Sequence, residues 1–165
     1  MTFRQNLVKF YQQTKCATFP SLFESASYEH LPNEDVSDFI KELIMCLVFI
    51  QSEVCLIAPH LTSEILSSAV QTAFDQLLIR LGRLQNLSPE QTTQIVIDTT
   101  ALEESVQNFL SLGTRAVVNA FRAKLVKKLD QQSFQRSLRN FRASMRMAIA
   151  SLNCDQSNAN DSSDI

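Results

Sequence analysis

The stretch that decides the fold is residues 88–106, SPEQTTQIVIDTTALEESV, which admits two interpretations. Its centre is rich in β-branched residues around Asp98, a composition typical of a strand that could end in a catalytic carboxylate. Its opening combines Ser88 as a helix N-cap, Pro89 at the first helical position and Gln91 completing a capping box. Because a strand has no room to begin within a few residues of such a cap, the sequence predicts one long helix.

The spacing of the apolar residues in this segment also favours a helix. Steps of four and three residues connect Ile95, Thr99, Leu102, Val106 and Phe109. Asp98 lies about 60° behind Ile95 on a helical projection, at the edge of this apolar stripe. We therefore interpret Asp98 as a helix-surface, packing or subunit-contact residue rather than as a catalytic base.

The composition of the whole chain favours long helices joined by short corners. The 165 residues fit one domain and include two glycines and four prolines. Average usage would give about twelve glycines in a chain of this length. So few glycines leave little material for tight hairpin turns or for loops that bind phosphate.

Apolar stripes with the same spacing predict helices on both sides of the opening segment. We expect helices over residues 3–14, 36–57, 63–84, 88–111, 114–129 and 131–153, with a short helix in the corner between residues 19 and 32. Thr62 or Ser63 is the expected cap of the helix over residues 63–84, and Gly113 is the expected terminator of the helix that precedes it. The predicted fold is all-α, an elongated antiparallel bundle of about five to six helices over residues 1–153. Residues 154–165 are expected to be a disordered tail.

The residues that most often carry chemistry form no catalytic or metal-binding pattern. The four cysteines have no metal-like spacing, and Cys46 and Cys55 are predicted to be small buried hydrophobic residues. His30 and His60 fall at corners, and His60 with Glu64 lacks a third ligand. Glu103 and Glu104 share a helix with Asp98, so they cannot face it across a cleft. We predict no enzyme activity, no cofactor and no metal. With no signal peptide or membrane span in the sequence, we expect a reducing, cytosolic compartment.

Charge is distributed unevenly along the chain, although the formal net charge is only −2. Residues 16–75 carry nine acidic side chains and one lysine, whereas residues 114–146 carry nine basic side chains and one aspartate. The simpler interpretation is two solvated helix faces of opposite sign. The alternative is a basic contact surface, whose candidate residues are Arg136, Arg139, Arg142 and Arg146. Anionic lipid headgroups and an acidic protein face fit these residues equally well, whereas the acidic pI argues against nucleic acid.

Three stretches carry motifs that helical periodicity alone does not explain. A polar break inside a long helix includes Ile50, Gln51, Glu53 and Val54. A later helix contributes Gln94, Asp98, Thr99, Ala101, Leu102, Glu104 and Val106. The ending FRASMRMAIASL, residues 141–152, contributes Phe141, Arg142, Ser144 and Met145. Over residues 40–152 the chain resembles the C-terminal helical-rod region of the exocyst component 2 family, within the CATCHR superfamily of vesicle tethers. Gln51 replaces a histidine of that family, and Arg142 replaces a lysine.

This resemblance implies a non-enzymatic subunit of an eight-subunit complex that captures secretory vesicles at the plasma membrane before fusion. The implied partners are the other exocyst subunits, with an anionic membrane surface as a second candidate and neither nucleic acid nor a small-molecule substrate. The implied location is cytoplasmic, peripheral at plasma-membrane sites of exocytosis. The family binds small GTPases through a separate N-terminal β-sandwich that nothing in these residues matches, so GTPase binding is not carried over.

Two alternatives stay open beside the exocyst interpretation. One is a subunit of another helical-rod tether, at the Golgi or at endosomes, which would share the helix pattern and differ in its partners. The other is a helical adaptor whose basic C-terminal helices bind anionic membrane. Because the chain is much shorter than a full tethering subunit, we expect either a C-terminal fragment or a truncated relative.

Overall fold

The computed structural model describes residues 3–24, 28–29, 35–127 and 129–157, and it describes side chains within this set for residues 5–144. The described residues form helices joined by turns and contain no strand. The α-helices are α1 (Phe3–Cys16), α2 (Phe19–Glu24), α3 (Asp38–Ile57), α4 (Thr62–Gly82), α5 (Pro89–Ser105), α6 (Leu112–Val126) and α7 (Gln131–Ser157). A 3₁₀-helix at Pro59–Leu61 connects α3 to α4. The prediction of an all-α helical bundle is confirmed.

Helix α5 begins where the capping sequence predicts. The Gln91 backbone N–H donates to Ser88 Oγ at 3.2 Å, and the Ser88 backbone N–H donates to Gln91 Oε1 at 2.9 Å. Pro89 occupies the first turn, where its missing N–H costs no hydrogen bond. The helix continues through the β-branched residues to Ser105, so the prediction of a helix in place of a strand is confirmed. Burial overrides strand propensity in this segment, because every residue from Gln94 to Leu102 is buried.

Helix α4 packs against more of the bundle than its neighbours do. It contacts α1, α2, α3, α6 and the 3₁₀-helix, while α5 contacts α3, α6 and α7. The fully buried side chains that fill the space between these helices include Phe19, Ile40, Leu43, Leu66, Val70, Phe74, Leu77, Ile95, Leu102, Val118 and Phe141. Helices α4 and α5 thereby fix the positions of the helices around them.

Several helix boundaries differ from the sequence prediction. Helix α5 ends at Ser105, and Gly113 lies in the first turn of α6 instead of ending a helix. The physical reason is a second cap, because Ser111 Oγ accepts a 3.0 Å hydrogen bond from the Thr114 backbone N–H and starts α6 there. Helix α4 follows the 3₁₀-helix directly without a side-chain cap, so the predicted cap at Thr62 or Ser63 is wrong.

The burial of four residues and the end of the last helix also differ from the prediction. Leu7 and Phe10 of α1 are exposed, although they belong to the apolar spacing that predicts this helix. Cys55 is exposed and Cys46 only half-buried, because both lie off the side of α3 that faces the core. At the other end of the chain α7 runs to Ser157, beyond the predicted end at residue 153, and residues 158–165 of the predicted tail lie outside the described residues.

Candidate functional site

Asp98 lies inside the bundle with its carboxylate fully enclosed, at 0% exposure. Its Oδ2 accepts a 3.0 Å hydrogen bond from the Tyr28 hydroxyl. Its Oδ1 accepts hydrogen bonds from the Ser37 backbone N–H at 2.9 Å and from Gln94 Nε2 at 3.0 Å. The interpretation of Asp98 as a packing residue is confirmed, whereas its placement on the helix surface or at a subunit contact is wrong. We call Asp98, Tyr28, Ser37 and Gln94 the Asp98 cluster.

Helix α5 holds the segment before α3 through two glutamines as well. Gln94 Nε2 also donates to the Asp35 backbone carbonyl at 2.7 Å, and Gln91 Nε2 donates to the Tyr28 backbone carbonyl at 3.0 Å. Gln91, Gln94 and Asp98 follow one another at three- and four-residue steps, so they lie on one side of α5. That side of the helix therefore supplies polar partners to the backbone before residue 30 and after residue 34.

Burial raises the pKa of Asp98 above its ordinary value, because the enclosed carboxylate loses its hydration. Hydrogen bonds from Ser37, Gln94 and Tyr28 oppose this effect by stabilising the charged form. Burial also raises the pKa of Tyr28, and the nearby Asp98 carboxylate raises it further. The phenol therefore remains protonated and able to donate to Asp98.

The Asp98 cluster has the features of a structural cluster and lacks those of a catalytic one. The groups that donate to Asp98 belong to the fold itself, and Asp98 is fully buried. Within the described parts of the chain, no group of three His, Cys, Asp or Glu side chains could hold a metal ion. His60 is exposed on the 3₁₀-helix, and His30 lies outside the described residues.

A second polar cluster joins α5 to α6. The Arg122 guanidinium pairs with the Glu103 carboxylate, and each of these side chains is only 16% exposed. Arg122 Nη1 also donates to Thr100 Oγ1 at 2.9 Å, and Arg115 Nε lies 3.4 Å from Glu103 Oε1. Glu103, which shares a helix with Asp98, therefore takes part in packing two helices together.

Helix α3 exposes apolar side chains on the side opposite its buried face. The buried face includes Leu43, Leu47, Ile50 and Val54. The exposed residues, which we call the outer α3 stripe, are Met45, Val48, Phe49 and Leu56, with exposed fractions of 50%, 44%, 65% and 86%. Apolar residues on both sides of a helix are typical of a helix that has packing partners on both sides. The outer α3 stripe is therefore a candidate interaction surface.

An open apolar groove lies at the end of the bundle where α1 meets the last turn of α3. Its volume is about 400 Å³. Phe10, Tyr11, Ile57, Leu61 and Ile65 contribute to its walls. Leu7 also lines the groove, which explains why α1 has an exposed apolar side.

The predicted basic surface falls on α7. Arg136 and Arg139 are exposed, and Arg139 Nε donates to the Gln135 backbone carbonyl at 3.1 Å. Arg142 is also exposed, and its Nε lies 3.4 Å from Glu104 Oε1. The backbone of Arg146 continues the same helix, and its side chain lies outside the described set. Nothing in the described residues shows what these arginine side chains bind, so their role in binding stays a prediction.

The sequence prediction missed the outer α3 stripe and the partners of Asp98. Apolar residues at positions 45, 48, 49 and 56, outside the buried stripe, were a visible sign of a second apolar face. Two partners of Asp98 had no such sign, because Tyr28 and Ser37 lie 70 and 61 residues away in the sequence.

The class of protein follows from these features. The described residues form a helical bundle whose polar clusters are internal and whose unpartnered apolar surfaces face outward. No helix among them is long and apolar enough to cross a membrane. Such a fold defines a helical packing module.

The particular family is given by comparison with known proteins. The family model described as "Exocyst complex component Sec5" matches residues 2–152. The chain is 42% identical over 163 residues to "Exocyst complex component 2" of Caenorhabditis elegans. The aligned residues are 98% of this chain and 18% of that relative. No solved structure matches. The chain therefore belongs to the Sec5 family of exocyst components, and it spans about a fifth of the length of the curated relative it matches.

The family match confirms the resemblance that the motifs predict, and it extends almost the whole length of the chain. It does not favour the alternative of a Golgi or endosomal tether.

Proposed function

We propose that this chain is a non-enzymatic helical module of an exocyst subunit, and that it contributes to tethering secretory vesicles at the plasma membrane. Its partners in this role are the other subunits of the complex. It acts by burying helix faces against them, at cytoplasmic sites of exocytosis. The observation that carries the proposal is the 42% identity to an exocyst component over 98% of the chain.

The arrangement of side chains supports a role in contact rather than in chemistry. The enclosed carboxylate, Asp98, is satisfied by donors of the same chain. The exposed apolar side chains on α1 and α3 are instead the groups that gain free energy when a partner covers them.

Affinity purification tests this proposal. The tagged chain, expressed in cells of its own organism, should recover the other exocyst subunits well above a tag-only control. Recovery at the level of that control, or recovery of the subunits of a Golgi or endosomal tether instead, contradicts the proposal. A control variant with Asp75→Asn, an exposed position on α4, should recover the same subunits as the unmodified chain.

A second candidate function is contact with anionic membrane through α7, to which the nearby basic residues of α6 would add. Arg136 and Arg139 are exposed and one turn apart, and Lys124 on α6 and Lys127 directly after it are also exposed. Clusters of cations near a bilayer are attracted by anionic headgroups, an attraction that weakens as salt increases. Liposome flotation with and without phosphoinositide tests this candidate. Flotation that is unchanged by the triple substitution Arg136→Glu, Arg139→Glu and Arg142→Glu contradicts it.

A further inference from the structure

The outer α3 stripe has the geometry of a binding surface for one helix. Met45, Phe49, Ser52 and Leu56 follow at steps of four, three and four residues, and Val48 lies beside them. From the first to the last of these positions the helix rises about 16 Å, or three turns. A straight line of this length, apolar except at Ser52, matches the apolar face of a second helix lying alongside, which binds through side chains at the same steps.

The charges around the stripe indicate the chemistry of the partner. Asp38 and Glu42 continue the same line toward the N-terminus of α3, and both are exposed. Lys41 is the only basic residue between residues 16 and 75, and its ammonium already contacts Asp35 Oδ2 at 2.8 Å and Asp38 Oδ1 at 3.3 Å. The first turns of this face are therefore acidic. An acidic border attracts cationic side chains and disfavours an anionic bilayer.

We propose that the outer α3 stripe is the docking surface for an amphipathic helix of another exocyst subunit, whose apolar face is flanked by lysine or arginine residues. This inference rests on the proposed function and adds the surface and the kind of partner. The apolar side chains supply the affinity, and the carboxylates of Asp38 and Glu42 set the direction in which the partner helix lies.

Substitution of the stripe tests the proposal in the full chain. The double variant Met45→Ser and Phe49→Ser should reduce co-purification of one exocyst subunit by about tenfold, as expected when central apolar contacts of an interface are removed. The charge variant Glu42→Lys should also reduce it, and its effect should shrink as salt increases. The matched control is Leu112→Ser with Val117→Ser, which removes two exposed apolar side chains from α6. This control should leave co-purification unchanged.

A photo-crosslinking residue placed at Ser52, within the stripe, identifies what covers it in cells. The expected product joins this position to an apolar helical segment of an exocyst subunit that carries Lys or Arg beside its apolar face. A crosslink to lipid, to a second copy of this chain or to an acidic segment overturns the proposal, and so does the absence of any crosslink. If exocyst subunits co-purify equally with the stripe variant, the docking surface is wrong and the proposed function stands. If they do not co-purify with the unmodified chain, the proposed function itself fails.

Discussion

The hydroxyl of Tyr28 donates a 3.0 Å hydrogen bond to the carboxylate of Asp98, across seventy residues of sequence. This contact joins the segment before α3 to the most buried helix of the bundle. Asp98 also accepts from Ser37 and Gln94, so one carboxylate organises backbone and side-chain donors together. Buried clusters of this kind are stable only while every member keeps its partner.

Replacement of Asp98 by alanine should lower the free energy of unfolding by about 3 kcal/mol, because the three donors that face it would be buried without an acceptor. Urea unfolding at neutral pH measures the change. The control is Asp75→Asn at the exposed surface of α4, for which a change below about 0.5 kcal/mol is expected. Equal stability of the Asp98→Ala variant and the unmodified chain would show that the cluster does not hold the fold together.

Replacement of Tyr28 by phenylalanine should cost about 1 kcal/mol, because it removes one donor to Asp98 and keeps the aromatic ring. The ring still packs edge-on against Phe39 at a centroid distance of 5.9 Å. A double-mutant cycle with Asp98→Asn should show a coupling of about 1 kcal/mol, and the same cycle with Asp75→Asn should show none. Additive effects of Tyr28→Phe and Asp98→Asn contradict a direct contact.

The pH dependence of stability follows from the pKa of Asp98, which burial raises above its ordinary value. When the pKa of Asp98 is higher in the folded than in the unfolded protein, its protonation stabilises the folded state. This contribution to the free energy of unfolding is complete below the pKa of the unfolded protein, at about pH 4, and is lost as pH rises through the pKa of the folded protein. The stability advantage of the unmodified chain over Asp98→Asn should therefore be largest at acidic pH and decrease toward neutral pH. Urea unfolding of both proteins across this range measures the difference. An advantage that grows with pH contradicts the direction of the shift.

The Glu103–Arg122 pair should behave as a partly buried unit. Replacing Glu103 by glutamine leaves the Arg122 and Arg115 side chains without their carboxylate, and we expect a loss of about 2 kcal/mol. Replacing both Glu103 and Arg122 by methionine should cost less than the sum of the two single changes. The control pair is Arg142 with Glu104, which is far more exposed and should contribute less than about 1 kcal/mol. Strict additivity at Glu103 and Arg122 would contradict the pairing.

The three described cysteines should react with a thiol reagent in order of exposure. Cys55 is exposed, Cys46 is half-buried and Cys16 is buried. Burial raises the pKa of Cys16 to about 11, which reduces its reactive thiolate further. In a Cys154→Ser background, mass spectrometry after brief labelling should find the label on Cys55 first. Faster labelling of Cys16 would contradict the placement of α1 against the core.

The sequence was sufficient to predict helices where a local signal exists. The cap formed by Ser88 and Gln91 outweighs the strand propensity of the residues after it, and the structure shows both hydrogen bonds of that cap. The same local reasoning failed at Gly113, because Ser111 starts a new helix two residues earlier. A glycine can stand in a first turn as well as at a helix end, and the sequence alone does not decide between these positions.

Features that depend on distant contacts could not be predicted in this way. A helical projection placed Asp98 at the edge of the apolar stripe of α5. Such a projection shows one helix alone, so it cannot show that the segment before α3 covers this position. The exposure of Leu7 and Phe10 was hidden for the same reason, because an apolar residue at helical spacing is predicted to be buried even where no neighbouring helix covers it. Which helix faces lack a neighbour is a property of the packed bundle.

The most direct test of the central claim is co-sedimentation of this chain with the exocyst complex. Cell extract containing the tagged chain is separated on a density gradient, and each fraction is quantified for the chain and for the other exocyst subunits. If the chain is a helical module of an exocyst subunit, most of it should sediment in the same fractions as those subunits. Sedimentation of the chain alone, apart from fractions that contain an intact complex, would contradict the claim.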